Sequence, residues 1–125
     1  MAIENVTVIG AGTMGNGIAQ VFAQHGYQVR LTDLSEAQLA RALETIQKNL
    51  DRLITKEIIK KETKESTLQK INTFTSLDEA VKEADLVIEA ASENFSVKQA
   101  LFRQLDLIAP ASCVLASNTS SISIT

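Results

Sequence analysis

A single cysteine among 125 residues leaves no intrachain disulfide possible, a usage compatible with a reducing compartment. No apolar run approaches the roughly 18 residues of a membrane span, and Met1 leads into a strand-like segment instead of a signal peptide. Internal repeats, low-complexity tracts and linkers are absent, and the one proline is Pro110. No basic cluster is paired with aromatic residues, and the net charge is −3. Nucleic acid and membrane are therefore not expected partners. What remains is 45% hydrophobic and 22% charged, ordinary for a soluble globular protein and one domain in length.

The most informative segment is Val-Thr-Val-Ile-Gly-Ala-Gly-Thr-Met-Gly-Asn-Gly, residues 6–17. An apolar run suited to a buried strand ends at Gly10, and Gly10, Gly12 and Gly15 follow at G-x-G-x-x-G spacing. The glycines serve three separate ends, namely a tight turn out of the strand, room for backbone beside a pyrophosphate, and close packing of helix on sheet. A helix beginning there offers unpaired N–H groups and a positive dipole end to a diphosphate. The helix is expected from about Gly15 to His25, with Met14, Ile18, Val21 and Phe22 on one face and Gly26 ending it. A second strand, Gln28 to Thr32, runs into Asp33, 18 residues after Gly15. That separation suits an acid taking the ribose 2′-hydroxyl of NAD, at about 20 residues; the plainer alternative makes Asp33 a helix N-cap.

Beyond Asp33, Ser35 is placed to cap a helix with Leu39, Leu43, Ile46, Leu50 and Leu53 at helical spacing. A more polar helical piece over Lys56–Lys70 follows, and the two read as a helical hairpin leaning out from the sheet. The core resumes with a strand near Ile71–Thr75, a brief helix around Leu77–Lys82 and a strand over Asp85–Ala91. A helix with Val97, Leu101, Leu105 and Ile108 inward stops at Pro110. The last strand is Cys113–Ser117. Five strands alternating with helices imply an α/β fold, a doubly wound parallel Rossmann sheet of order 3-2-1-4-5, with the helical hairpin inserted after the second strand.

Three blocks together resemble the NAD-binding domain of 3-hydroxyacyl-CoA dehydrogenases, especially the 3-hydroxybutyryl-CoA type. They are Gly-Ala-Gly-Thr-Met-Gly at 10–15, Val-Ile-Glu-Ala-Ala-Ser-Glu-Asn at 87–94 and Leu-Ala-Ser-Asn-Thr-Ser-Ser at 115–121. The first is shared by many dehydrogenases; the last is far more specific. The resemblance implies NAD as cofactor and an acyl-CoA substrate, in cytoplasmic fatty acid or butyrate metabolism. It implies that Gly10, Gly12, Thr13, Met14 and Gly15 form the diphosphate loop and that Asp33 takes the adenosine ribose. Glu93 and Lys98 match cofactor contacts beyond the fourth strand, and Asn118 lies in the segment passing the nicotinamide. Ser120 matches the catalytic serine that bonds the substrate's 3-oxygen, beside the cofactor. Lys56 matches a coenzyme A contact, and Asn49 occupies a site that is serine in some relatives. No metal is implied.

The family's histidine–glutamate pair lies downstream of the Ser-Asn-Thr-Ser-Ser block, whereas this sequence stops at Thr125. Residues 1–125 are therefore expected to be a Rossmann domain that precedes further strands and a C-terminal helical domain. Alone it is expected to be inactive; the complete enzyme is expected to be a homodimer through that second domain. Two other readings stay open. One is another β-hydroxyacid dehydrogenase, of the 6-phosphogluconate or hydroxyisobutyrate type, against which the hairpin and the serine-rich block argue. The other is a crystallin-like or regulatory module that holds dinucleotide without chemistry.

Several residues have plainer readings. His25, the only histidine, ends a helix, where its dipole suits the imidazole. Cys113 is most simply a small buried hydrophobe. Glu89, at the carboxyl end of its strand, is either on the ligand side of the sheet or a structural acid. Asn49, Arg52 and Lys56, at i, i+3 and i+7, form either a ligand-binding face or a solvated one.

Overall fold

Four successive buried residues, Val6 to Ile9, show that strand β1 (Asn5–Ile9) is covered on both faces, as parallel sheets flanked by helices require. The computed structural model describes residues 3–90, Arg103, Gln104, Leu107 and 113–117. After β1 come α1 (Thr13–Gln24), β2 (Gln28–Thr32), α2 (Glu36–Thr55), α3 (Lys61–Gln69), β3 (Ile71–Phe74), α4 (Leu77–Val81), β4 (Leu86–Glu89) and β5 (Val114–Ser117). The sheet order is β3-β2-β1-β4-β5, and every neighbouring pair is parallel. This is the expected doubly wound arrangement, with the winding reversing between β1 and β4. Arg103, Gln104 and Leu107 have helical backbone. The expected inward positions Val97, Leu101, Leu105 and Ile108 lie outside the described residues.

Two apolar layers hold the sheet. On one face Val6, Val8, Val29, Leu31 and Ile71 meet α1 and α2. On the other, Ile9 and Val87 meet Val81 and Ala84, with Leu77 and Cys113 at the margin. Thr7, buried in β1, donates its hydroxyl to the Ala80 carbonyl and fastens α4 to the sheet. Ser76 accepts from the Glu79 N–H at 3.4 Å and caps α4, so even this short helix has a defined start.

The inward face of α1 differs from the expected one. Met14 and Val21 are each 54% exposed, while Gly15, Ala19 and Ala23 are buried. The cause is the approach of the helix to β1. A Cβ built on Gly15 would lie 1.6 Å from the Gly10 carbonyl oxygen, so the contact stripe must be small residues. Larger ones are displaced sideways, where Ile18 and Phe22 pack only partly. The helix also starts at Thr13, two residues before the expected position. Its end agrees with expectation: His25 is the C-cap, Gly26 has φ 93°, and the imidazole Nδ1 lies 2.7 Å from the Val21 carbonyl oxygen.

The hairpin is present, and α2 packs against α1 and α3. Leu39, Ala42, Ile46 and Leu50 are buried in the main core along about three turns of α2, and Leu53, Ile59 and Leu68 pack against it. Ser35 caps α2 by accepting from the Gln38 N–H at 3.2 Å. Residues 56–60 form the reversal, with Glu57 at φ 60°, and α3 returns against α1 as well as α2. Lys64 and Asp51 close the pair with a 2.6 Å ion pair. An apolar stripe this long has to be covered, and α1 and α3 are the helices that α2 meets.

Candidate cofactor site

Gly10 leaves β1 with φ 103°, a left-handed conformation that favours glycine. Its N–H still donates to the Thr32 carbonyl at 2.8 Å, so the turn begins while the β1–β2 ladder is intact. Gly12 then caps α1 without any side-chain hydrogen bond, and no acid occupies the helix's first turn. Thr13 and Met14 are exposed there. A Cβ on Gly12 would meet only Gln38 Nε2, at 3.9 Å. The loop thus has an open face, a helix N-terminus whose N-cap, Gly12, supplies no side-chain cap, and no acid in that first turn. A dinucleotide diphosphate fits such a cradle. The three glycines are required for different reasons: backbone conformation at Gly10, open space at Gly12 and packing at Gly15.

Asp33 follows β2 at the same edge of the sheet. Its Oδ2 accepts from the Ala11 N–H and its Oδ1 from the Ser35 N–H, each at 3.0 Å. Ser35, not Asp33, is the N-cap of α2, which removes the plainer reading of the acid. A carboxylate has about four acceptor positions, so two bonds leave capacity for a ribose hydroxyl. Arg30 does not approach this place to receive a phosphate; its guanidinium pairs with Glu83 at 3.1 Å on the α4 side. Two participants carried no sequence signal: Ala11, through its backbone N–H, and Gln38, which faces Gly12 from the first turn of α2. Only the packing of α2 beside the glycine loop reveals them.

The hairpin residues separate. Asn49, half-buried, donates through Nδ2 to Gln20 Oε1 at 3.3 Å, and Gln20 in turn donates to Gln24 Oε1 at 3.0 Å. This polar seam ties α2 to α1. Arg52 is exposed, and so is Lys56, the C-cap of α2. Glu89 ends β4 and is wholly buried. Cys113 is half-buried; burial first, then the Asp85 charge, pushes its thiol pKa up, against a lowering by the Val87 backbone. An inert thiol follows. Glu93, Lys98, Asn118 and Ser120 lie outside the described residues. Among the described residues, no three His, Cys, Asp or Glu gather as a metal site would need. No helix there is long and apolar enough to cross a membrane.

Asp85, read from sequence only as the start of a strand, clamps the opposite end of the sheet. Its Oδ2 accepts from the Glu4 and Asn5 N–H groups, both at 2.9 Å. The Asn5 bond, then the Glu4 bond, holds its pKa below the ordinary 3.8.

Known proteins share this arrangement. The family described as 3-hydroxyacyl-CoA dehydrogenase, NAD binding domain, matches residues 5–125. The 3-hydroxyadipyl-CoA dehydrogenase of Escherichia coli (strain K12) is 49% identical over 123 residues, covering 98% of this chain and 26% of that protein. The 3-hydroxybutyryl-CoA dehydrogenase of Bradyrhizobium diazoefficiens is 43% identical, covering 98% of this chain and 42% of that protein. Among solved structures, 3-hydroxybutyryl-CoA dehydrogenase from Escherichia coli K12 superposes with a TM-score of 0.95 at 48% identity, over 100% of this chain and 26% of that one. The (S)-3-hydroxybutyryl-CoA dehydrogenase from Ralstonia eutropha gives 0.93 at 46% identity, over 99% of this chain and 44% of that one. The chain therefore spans between about a quarter and less than half of the length of these relatives.

Proposed function

Because the chain belongs to the 3-hydroxyacyl-CoA dehydrogenase family, as its NAD-binding domain, we propose that the protein carrying it interconverts 3-hydroxyacyl-CoA and 3-oxoacyl-CoA. The observation that carries this reading is the joint geometry of the glycine loop and Asp33, within a chain matched to that family over residues 5–125. Bound NAD supplies the hydride acceptor. Gly10, Gly12 and Gly15 shape the loop, and the first-turn N–H groups of α1, with Thr13 and Met14, meet the diphosphate. Asp33 accepts from the 2′-hydroxyl and disfavours a 2′-phosphate. Glu93, Lys98 and Asn118 bind the cofactor further along. Ser120 donates its hydroxyl to the substrate's 3-oxygen, which favours developing alkoxide charge as an oxyanion hole does.

Lys56, exposed at the hairpin turn, offers a point charge to coenzyme A phosphates. Asn49 contributes a smaller share, since its amide already holds Gln20. The proton is exchanged by a histidine that residues 1–125 do not contain, because His25 is engaged at the far end of α1. A cytoplasmic homodimer is the proposed setting.

A complete protein and residues 1–125 alone, each assayed with acetoacetyl-CoA and NADH, test the proposal. The complete protein should turn over, and Ser120→Ala should lower its kcat by roughly 10²-fold or more. Residues 1–125 alone should bind NADH without substantial turnover. A complete protein that binds NADH but reduces no 3-oxoacyl-CoA overturns the activity.

A further inference from the structure

Ser35, the N-cap of α2, and Gln38, the third residue of that helix, stand at capping-box spacing. In that motif the N-cap side chain accepts from the third residue's N–H, and the third side chain turns back to the N-cap N–H. Only the first half forms here. Ser35 Oγ accepts from the Gln38 N–H at 3.2 Å, but the Ser35 N–H donates to Asp33 Oδ1 at 3.0 Å. Asp33 thus does what the Gln38 amide would otherwise do. Among the described residues no hydrogen bond holds that amide. Its Nε2 stands instead 3.9 Å from where a Cβ on Gly12 would lie. Gln38 is half-buried, and its neighbour Leu39 is anchored in the core, so the amide projects from a fixed stem.

The middle glycine of such a loop leaves room for a diphosphate to approach the backbone, so the released amide borders that room from α2. The α1 side brings no cation: the helix reads Thr-Met-Gly-Asn-Gly-Ile-Ala-Gln-Val-Phe-Ala-Gln. An amide supplies two N–H donors without a charge, and a bond from such a donor to an ionised oxygen is stronger than one to a neutral oxygen. Resting on the NAD-binding reading above, we propose that Gln38 is a further cofactor-binding residue, its Nε2 donating to the phosphate next to the adenosine ribose. Asp33 then takes the ribose and Gln38 the adjoining phosphate, both set in place through Ser35. A Gln38 that served only the helix end would make the opposite prediction for glutamate. Glutamate suits the capping box equally and is favoured by the helix dipole.

Titrations of NADH, ADP-ribose and adenosine into the full-length protein, wild type, Gln38→Ala and Gln38→Glu, distinguish these roles. Gln38→Ala should weaken NADH and ADP-ribose by about tenfold, as loss of a hydrogen bond to a charged group does. Gln38→Glu keeps the shape, removes the donor and adds repulsion, so it should bind both more weakly still. Adenosine has the same ribose and no phosphate, and its affinity should stay at the wild-type value in both variants. Gln38→Lys, which restores a donor, should recover the NADH affinity that Gln38→Ala loses. Wild-type NADH affinity in Gln38→Glu, or equal losses for adenosine and ADP-ribose, overturns the proposal. Failure of the wild type to bind NADH would instead overturn the cofactor reading, and this inference with it.

Discussion

The backbone N–H of Ala11 donates to Oδ2 of Asp33 at 3.0 Å, joining the middle of the glycine loop to the end of β2. The acid proposed to distinguish one dinucleotide from another thus also braces the loop proposed to hold the diphosphate. Under that proposal, loop shape and ribose recognition are coupled through one carboxylate.

Asp33→Ala should accordingly do two things. NAD affinity should fall about tenfold or more, because hydrogen bonds to a charged group are worth about 1.5–3 kcal/mol, and discrimination against NADP should shrink. Calorimetric titration of both cofactors checks this, and an unchanged preference would remove Asp33 from ribose recognition.

Gly12 and Gly15 should fail differently. At Gly15 a methyl group meets the Gly10 carbonyl oxygen at 1.6 Å, a backbone clash at or beyond the upper end of the about 1–3 kcal/mol typical of overpacking. Gly15→Ala should show a large drop in Tm. Gly12 has an ordinary φ of −74° and open space, so Gly12→Ala should stay within about 0.5 kcal/mol of wild type yet lose NADH binding. Thermal denaturation paired with NADH fluorescence titration separates the two.

The hairpin predictions divide along the same line. In the complete enzyme, Lys56→Ala should raise KM for acyl-CoA, most visibly at low salt, and leave NADH affinity alone. Asn49→Ala removes the bond to Gln20 and should cost about 1 kcal/mol of stability with a smaller change in KM. Loss of NADH affinity in Lys56→Ala would assign the hairpin to the cofactor instead.

Asp85 makes the fold sensitive to acid. Its pKa is depressed below 3.8 when folded, first by the Asn5 and then by the Glu4 N–H bond. The unfolded chain therefore takes up the proton first as pH falls. The stability this carboxylate contributes is fully present above about pH 4 and is lost as pH drops through the folded value. Asp85→Asn should be less stable than wild type at pH 6, and the gap should narrow below pH 4. Denaturant melts at both pH values measure it, and a constant gap would separate the stabilisation from the carboxylate's ionisation.

The succession of strands and helices, the glycine turn and the hairpin were all legible in the residues, because each rests on local rules, and the strand order followed from the right-handed crossovers that such a succession requires. An apolar run followed by glycines dictates a strand and a turn, and Ser35 and Gly26 mark helix ends wherever those helices pack. The direction each helix faces is a different kind of fact. Periodicity alone placed Met14 and Val21 inward, and they are exposed; Gly15, Ala19 and Ala23 face the sheet because the helix approaches β1 too closely for anything larger. The Asn49–Gln20 seam and the Asp85 clamp likewise join residues 29 and 81 positions apart. Sequence by itself determined which elements form and where the glycine turn leaves β1, since those depend on neighbours along the chain. Tertiary structure alone decided which side chains remain available for a ligand, since a polar group's partners are set by what packs against it.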